Sequence, residues 1–345
     1  MPKNIIVMSD GTGQEGGKGN NSNIYKLFNM LTDRTPKQTA FYDRGVGTGA
    51  RKIISMVTGL GFSKNIQDGY RFIFENYEAG DRIFLFGFSR GAATVRSLSS
   101  FIHYFGILPQ SRPELISQAY RIYKIKDRQR RERKANAFIA RHHTMWVRVH
   151  FLGCYDTVAA LGFPIPLLSA ILDRFPLFRH KFHDFHLSKS VENAYHALAI
   201  DDERKVFHPV LWQAETEPYQ SVKQVWFCGM HTDVGGGYKE QQLSDISLNW
   251  MVDMAKSHGL LLYRYHKVSI EEEINGTMHN SRGSCISKLF SKQTRSWDSG
   301  RTDLPHIHES VFQRINNASN SSSPPYEPWI TKVKHDIEPW NKSDE

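Results

Sequence analysis

An apolar run breaks at a serine flanked by glycines in "RIFLFGFSRGAATVRSL", residues 82–98. Ile83 to Gly87 read as a buried strand, and the small and apolar residues after Gly91 read as a helix. Between them stand Gly87, Phe88, Ser89, Arg90 and Gly91. Glycine tolerates backbone angles and close approaches that a side chain forbids, so two of them bracketing Ser89 have a physical cause. In a strand–turn–helix setting the pattern holds a serine out as a nucleophile on a strained turn. The other reading is a serine that merely fills a tight turn. If Ser89 reacts, the N–H of Arg90 is the expected oxyanion donor, with the turn at Asp10 and Gly11 supplying a second.

The rest of the chain repeats the strand-to-loop transition. "NIIVMSDGTG" (4–13) is a buried strand closing on an Asp-Gly turn, and "QTAFYDRGVGTG" (38–49) breaks into glycines after Asp43. "WVRVHFLGCYDTVAALG" (146–162) ends its apolar run at Asp156, and "SVKQVWFCGMHTDVGGGY" (221–238) ends at His231 and Asp233. Helical spacing appears at 24–33, at 63–77 and at 243–259, the last with a glycine stop. Strands alternating with helices predict an α/β architecture, a mostly parallel central sheet with helices on both faces. In such sheets chemistry gathers at the carboxyl ends of the strands. Asp10, Asp43, Ser89, Asp156, His231 and Asp233 all fall at such ends.

A hydroxyl needs a base, and the base needs an orienting carboxylate. On this kind of turn the acid and then the histidine follow the serine in the chain. Asp156 and His231 satisfy that order. Asp233 is an alternative orienter, and His306 and His308 in "LPHIHESVFQR" are alternative bases. A second chemistry also fits the strand ends: Asp10, Asp43, Asp156 and Asp233 offer oxygen ligands for a metal-assisted hydrolase. The serine reading calls for no cofactor and no metal. No G-K-[ST] follows the glycines of "GTGQEGGKGNN", which excludes a phosphate loop, and "GVGTGA" (45–50) lacks the third glycine of a dinucleotide fingerprint.

The chain carries 44 Lys and Arg against 35 Asp and Glu, a net charge of +9. Much of the excess lies in "RIYKIKDRQRRERKANAFIARHH", 121–143, read as a solvated helix face or as a basic surface for peripheral contact with an anionic membrane. No nucleic-acid motif accompanies it, so no nucleic-acid partner is expected. Cys154, Cys228 and Cys285 are odd in number and scattered, the usage of reduced thiols. With neither a signal-peptide pattern nor a run of roughly 18 apolar residues, the expected location is cytoplasmic. The expected organisation is a single domain over 1–345. Residues 163–195 are a candidate lid or insertion, and 316–345 a polar, partly flexible C-terminal segment. A non-catalytic basic protein binding a membrane or a partner remains the rival class.

"VMSDGTGQ", "FYDRGVGTG", "LFGFSRGAATVR", "FLGCYDTVAALG", "AYHALAIDDERKVFHPVLW", "VWFCGMHTDVGGGY" and "IHESVFQR" occur in this order from residue 7 to residue 314. As a set they resemble the motifs of an α/β-hydrolase domain family that includes phospholipase effectors of bacterial type VI secretion. Gly13 and Gln14 depart from it, since many relatives place an aromatic and an asparagine after D-G-T. The resemblance implies an α/β-hydrolase fold and esterase activity on phospholipids. It also implies a triad of Ser89, Asp156 and His231, export by a dedicated secretion system, and an immunity-type protein partner.

Overall fold

A computed structural model describes residues 2–11, 16–17, 19–45, 60–158, 186–284, 287–319 and 325–340. Among them, eight strands form one sheet: β1 (Asn4–Ser9), β2 (Gln38–Asp43), β3 (Arg82–Phe88), β4 (Val149–Tyr155), β5 (Val191–Ala199), β6 (Ser221–Phe227), β7 (His306–His308) and β8 (Asp336–Glu338). Their order is β2-β1-β3-β4-β5-β6-β7-β8, and every neighbouring pair is parallel. The chain moves outward from β1 to β2, then returns to the other side of β1 as β3. That reversal opens a crevice beyond the carboxyl ends of β1 and β3, the usual location of a site in such sheets. Asp10 follows one strand there and Ser89 the other.

Both sheet faces are covered, which is why the central strands read as continuous apolar runs. Ile5 and Val7 of β1 face a layer made by α2 (Leu60–Asn76), α3 (Arg90–Phe105), α4 (Leu115–Tyr123) and α5 (Arg128–His142). Ile6 and Met8 face the opposite layer, made by α1 (Asn23–Met30) and α7 (Gln242–Ser257). A third cluster joins Trp226 of β6 and Ile307 of β7 to Val311 of α8 (Glu309–Ser319). The architecture is α/β-hydrolase-like, as the alternation of elements predicts.

β3 passes into α3 through the two glycines flanking Ser89. A Cβ on Gly91 would lie 2.0 Å from the Ser9 carbonyl oxygen, and one on Gly87 would lie 2.5 Å from that of Gly91. Both glycines are therefore required by backbone packing as well as by the turn. Gly91→Ala is expected to lower stability by about 3 kcal/mol, the upper end of overpacking costs. Equilibrium denaturation checks this, and an unchanged midpoint would mean that the turn does not pack on β1.

Two regions differ from the sequence reading. Within the candidate lid at 163–195, residues 191–195 are the start of β5, while 163–185 lie outside the described residues. β5 escapes a periodicity reading because it carries half-buried polar groups in matched pairs. Asn193 Nδ2 donates to the His150 carbonyl at 2.8 Å, and Glu192 meets His150 Nδ1 at 2.8 Å. Within 316–345, β8 buries Glu338 against Lys223 Nζ at 2.8 Å and Trp250 Nε1 at 3.1 Å, so part of that polar tail completes the sheet. In the basic stretch, Arg131 of α5 is buried and donates to the Ile125 carbonyl, whereas Arg121, Arg128, Arg130, Arg133 and Lys134 are exposed.

Candidate active site

Ser89 sits at φ 58° and ψ −119°, in the positive-φ half of backbone space that a non-glycine residue occupies only at a cost of about 1–3 kcal/mol. β4 and the turn that follows it pin it there. The Ser89 N–H donates to the Tyr155 carbonyl at 3.0 Å, and its own carbonyl accepts from Val158 at 3.4 Å. α3 starts at the next residue, so the first N–H groups of that helix, beginning with Arg90, have no intrahelical acceptor.

Asp156 ends β4 in the same manner. Its φ is 38°, its N–H donates to the Ala197 carbonyl of β5 at 2.8 Å, and its side chain is fully buried. β6 stops at Phe227, and His231 opens a five-residue helix, α6 (His231–Gly235), rather than ending the strand itself. His231 Nδ1 donates to Asp156 Oδ2 at 2.5 Å, which leaves the Nε2 lone pair for a proton. The imidazole is held between two rings: Phe88 lies against it at 4.7 Å, and Phe207 meets it edge-on at 5.1 Å. Phe88 immediately precedes Ser89, so the histidine packs on the strand that presents the serine. Among the described residues no hydrogen bond joins Ser89 Oγ to His231, a contact that often closes only around substrate.

The carboxylate of Asp156 has a second side-chain partner that the sequence reading missed. Arg295 forks onto it, Nη1 to Oδ1 at 2.7 Å and Nη2 to Oδ2 at 2.8 Å, and Ala199 N–H donates to Oδ1 at 3.0 Å. Burial alone would push this carboxyl up, but the Arg295 charge and hydrogen bonds, with those of His231, hold it well below the usual carboxylate range. Asp202 was missed as well. Its Oδ2 accepts the His231 backbone N–H at 3.3 Å, and Arg204, which lies over the Phe207 ring at 3.7 Å, pairs with the same carboxylate. Asp202 was legible as the second aspartate of "IDDER"; Arg295 in "SKQTRSW" carries no local signal.

The remaining candidates are held elsewhere. Asp233 binds His279, Oδ1 to Nδ1 at 2.6 Å, and caps the Met230 N–H at 3.1 Å, so Asp156 and not Asp233 contacts His231. His306 and His308 lie in β7, four strands from β3; the His308 ring stacks on Phe227 at 4.6 Å, and burial pulls it down to about 3. The expected oxyanion role of Asp10 and Gly11 needs correction. The Asp10 N–H donates to the Asp43 carbonyl at 2.9 Å, and the Gly11 N–H donates to Asp10 Oδ1 at 2.7 Å. Both donors are thus engaged, the first by the sheet and the second by the buried Asp10 carboxylate, which Ser22 and Tyr42 hydroxyls also satisfy at 2.6 Å each. Burial raises that carboxyl to about 6. Among the described residues, no three His, Cys, Asp or Glu side chains converge to hold a metal ion. No described helix is long and apolar enough to cross a membrane, and Cys154 and Cys228 are buried and unbridged.

Residues 3–254 match the family described as "T6SS, Phospholipase effector Tle1-like, catalytic domain". An uncharacterized protein of Saccharomyces cerevisiae is 28% identical over 231 residues, covering 59% of this chain and 32% of its own. The chain thus spans about a third of the length of that curated relative. Three solved structures share lower similarity. An uncharacterized protein from Pseudomonas aeruginosa has a TM-score of 0.46 at 16% identity, over 76% of this chain and 46% of that one. The Tle1 effector bound to the VgrG spike of the type 6 secretion system has a TM-score of 0.39 at 19% identity, over 69% and 52%. A thermophilic esterase from Thermogutta terrifontis has a TM-score of 0.39 at 12% identity, over 75% and 85%.

Proposed function

The chain belongs to the Tle1-like phospholipase effector catalytic-domain family of type VI secretion, and from that premise we propose that it is a serine esterase cleaving a carboxylic ester of a phospholipid. The observation that carries the reading is the buried Asp156–His231 pair, packed through Phe88 against a serine with φ 58°. Ser89 Oγ attacks the ester carbonyl while His231 Nε2 takes its proton. Asp156 holds the imidazole in the tautomer that leaves Nε2 free and stabilises the imidazolium that forms. The Arg90 N–H at the start of α3 stabilises the tetrahedral oxyanion. His231 then protonates the departing alcohol, and water releases the acyl group by the reverse sequence.

A lipid substrate follows from the family and accords with the charge of the surface. Arg121, Lys126, Arg130 and Lys134 line an open cleft of about 650 Å³ beside Ile122 and Ile125, a surface suited to peripheral contact with anionic headgroups. Fatty-acid release from mixed phospholipid vesicles tests both parts. Wild type is expected to release acyl chains with or without chelator, and Ser89→Ala to release at least about 10⁴-fold less. Release lost on chelation would instead turn the strand-end aspartates into metal ligands. No release of any ester by wild type would favour a binding protein on a hydrolase scaffold.

A further inference from the structure

We propose that Arg295 is a positioning residue for the Asp156–His231 pair, clamping the carboxylate so that Oδ2 always faces Nδ1. The inference deepens the reading of that pair as the working acid–base unit. Arg295 is 2% exposed, and its two terminal nitrogens each bridge Asp156 to a backbone carbonyl, Nη1 to that of Ala199 and Nη2 to that of Phe207. The guanidinium is thereby fixed on both sides, and its planar fork sets the orientation of the carboxylate plane. The arginine is delivered by a strap that pairs with the loop after β5. Lys205 N–H donates to the Ser291 carbonyl at 2.9 Å, and Gln293 N–H donates to the Glu203 carbonyl at 2.8 Å. That strap lies beyond residue 254, where the family match ends.

A lone buried aspartate beside a neutral imidazole would take up a proton to escape the loss of hydration, and a protonated aspartate stabilises no imidazolium. Arg295 supplies a permanent counter-charge. Asp202, which accepts the His231 backbone N–H, adds a second carboxylate beside the pair. The groups facing Asp156 are then His231 from α6, Arg295 from the strap, and His196 from β5 with Arg96 of α3 behind it. Asp201 and Asp202 from the loop after β5 act on Arg295, and Arg204 pairs with Asp202.

Arg295→Met and Arg295→Lys test the proposal in the full chain. Arg295→Met removes the counter-charge, so the Asp156 carboxyl rises and the acid limb of the kcat/KM profile moves upward by about one unit or more. Its kcat is expected to fall about 10²-fold, the scale of an ångström misplacement, with KM nearly unchanged because Arg295 touches no substrate. Arg295→Lys keeps the charge without the fork. It is expected to keep the wild-type acid limb and lose about tenfold in kcat. The proton NMR resonance of His231 Nδ1 reads the pair without turnover and is expected to shift in both variants. A folded Arg295→Met with the wild-type profile and an unmoved resonance overturns the proposal. If that variant does not fold, wild-type kcat and resonance in Arg295→Lys overturn it equally. A wild type without esterase activity refutes the function, while the resonance still decides the role of Arg295.

Discussion

Ser89→Gly is expected to abolish ester hydrolysis and to stabilise the fold in the same protein. Loss of the nucleophile should lower kcat/KM by about 10⁶, leaving only the rate supported by binding and the oxyanion donor. The stability gain comes from the backbone. Ser89 at φ 58° carries about 1–3 kcal/mol of strain that glycine does not feel. Glycine gives back roughly 0.5–1 kcal/mol through the greater freedom of the unfolded chain. The net expectation is a gain of about 1 kcal/mol in denaturant unfolding. A less stable glycine variant would mean that the turn is unstrained, and that Gly87 and Gly91 serve packing alone.

Asp156→Ala should produce the largest loss of stability of any change at the site, about 3–5 kcal/mol, because it strands the Arg295 charge in the interior. Removing both partners in Asp156→Ala with Arg295→Met should recover most of that stability and none of the activity. Activity in the single variant should fall by about 10⁴, since the imidazole loses its orienting acceptor. Unfolding curves of the two single variants and the double variant form a cycle that isolates the pair. A cost of under about 1 kcal/mol for Asp156→Ala would show that water reaches the guanidinium.

Much of this site was legible because each key residue closes an apolar run. Ser89, Asp156 and, four residues past the end of β6, His231 are where buried strands meet polar loops, and chain order put them in sequence. Asp10 was found by the same rule, yet its role was misjudged: whether a backbone N–H is free depends on which side chain turns back to it. β7 and β8, three residues each, are too short to show a period. β5 hides its strand character behind Asn193 and His196, whose polarity makes sense only beside His150 and Thr157. Arg295 was invisible for a different reason. A charge in a polar stretch reads as surface, and only tertiary folding carries it to a buried aspartate 139 residues away in the chain.

The strap that carries Arg295 is attached through main-chain hydrogen bonds at Ser291 and Gln293, and such bonds are indifferent to side-chain identity. Its sequence can therefore drift with little penalty, provided one guanidinium still arrives at the same point in space. Relatives that share this device would then look unrelated over the stretch that supplies it. They would be recognised by superposing structures on the aspartate that closes β4, and alignment of letters would pass them by.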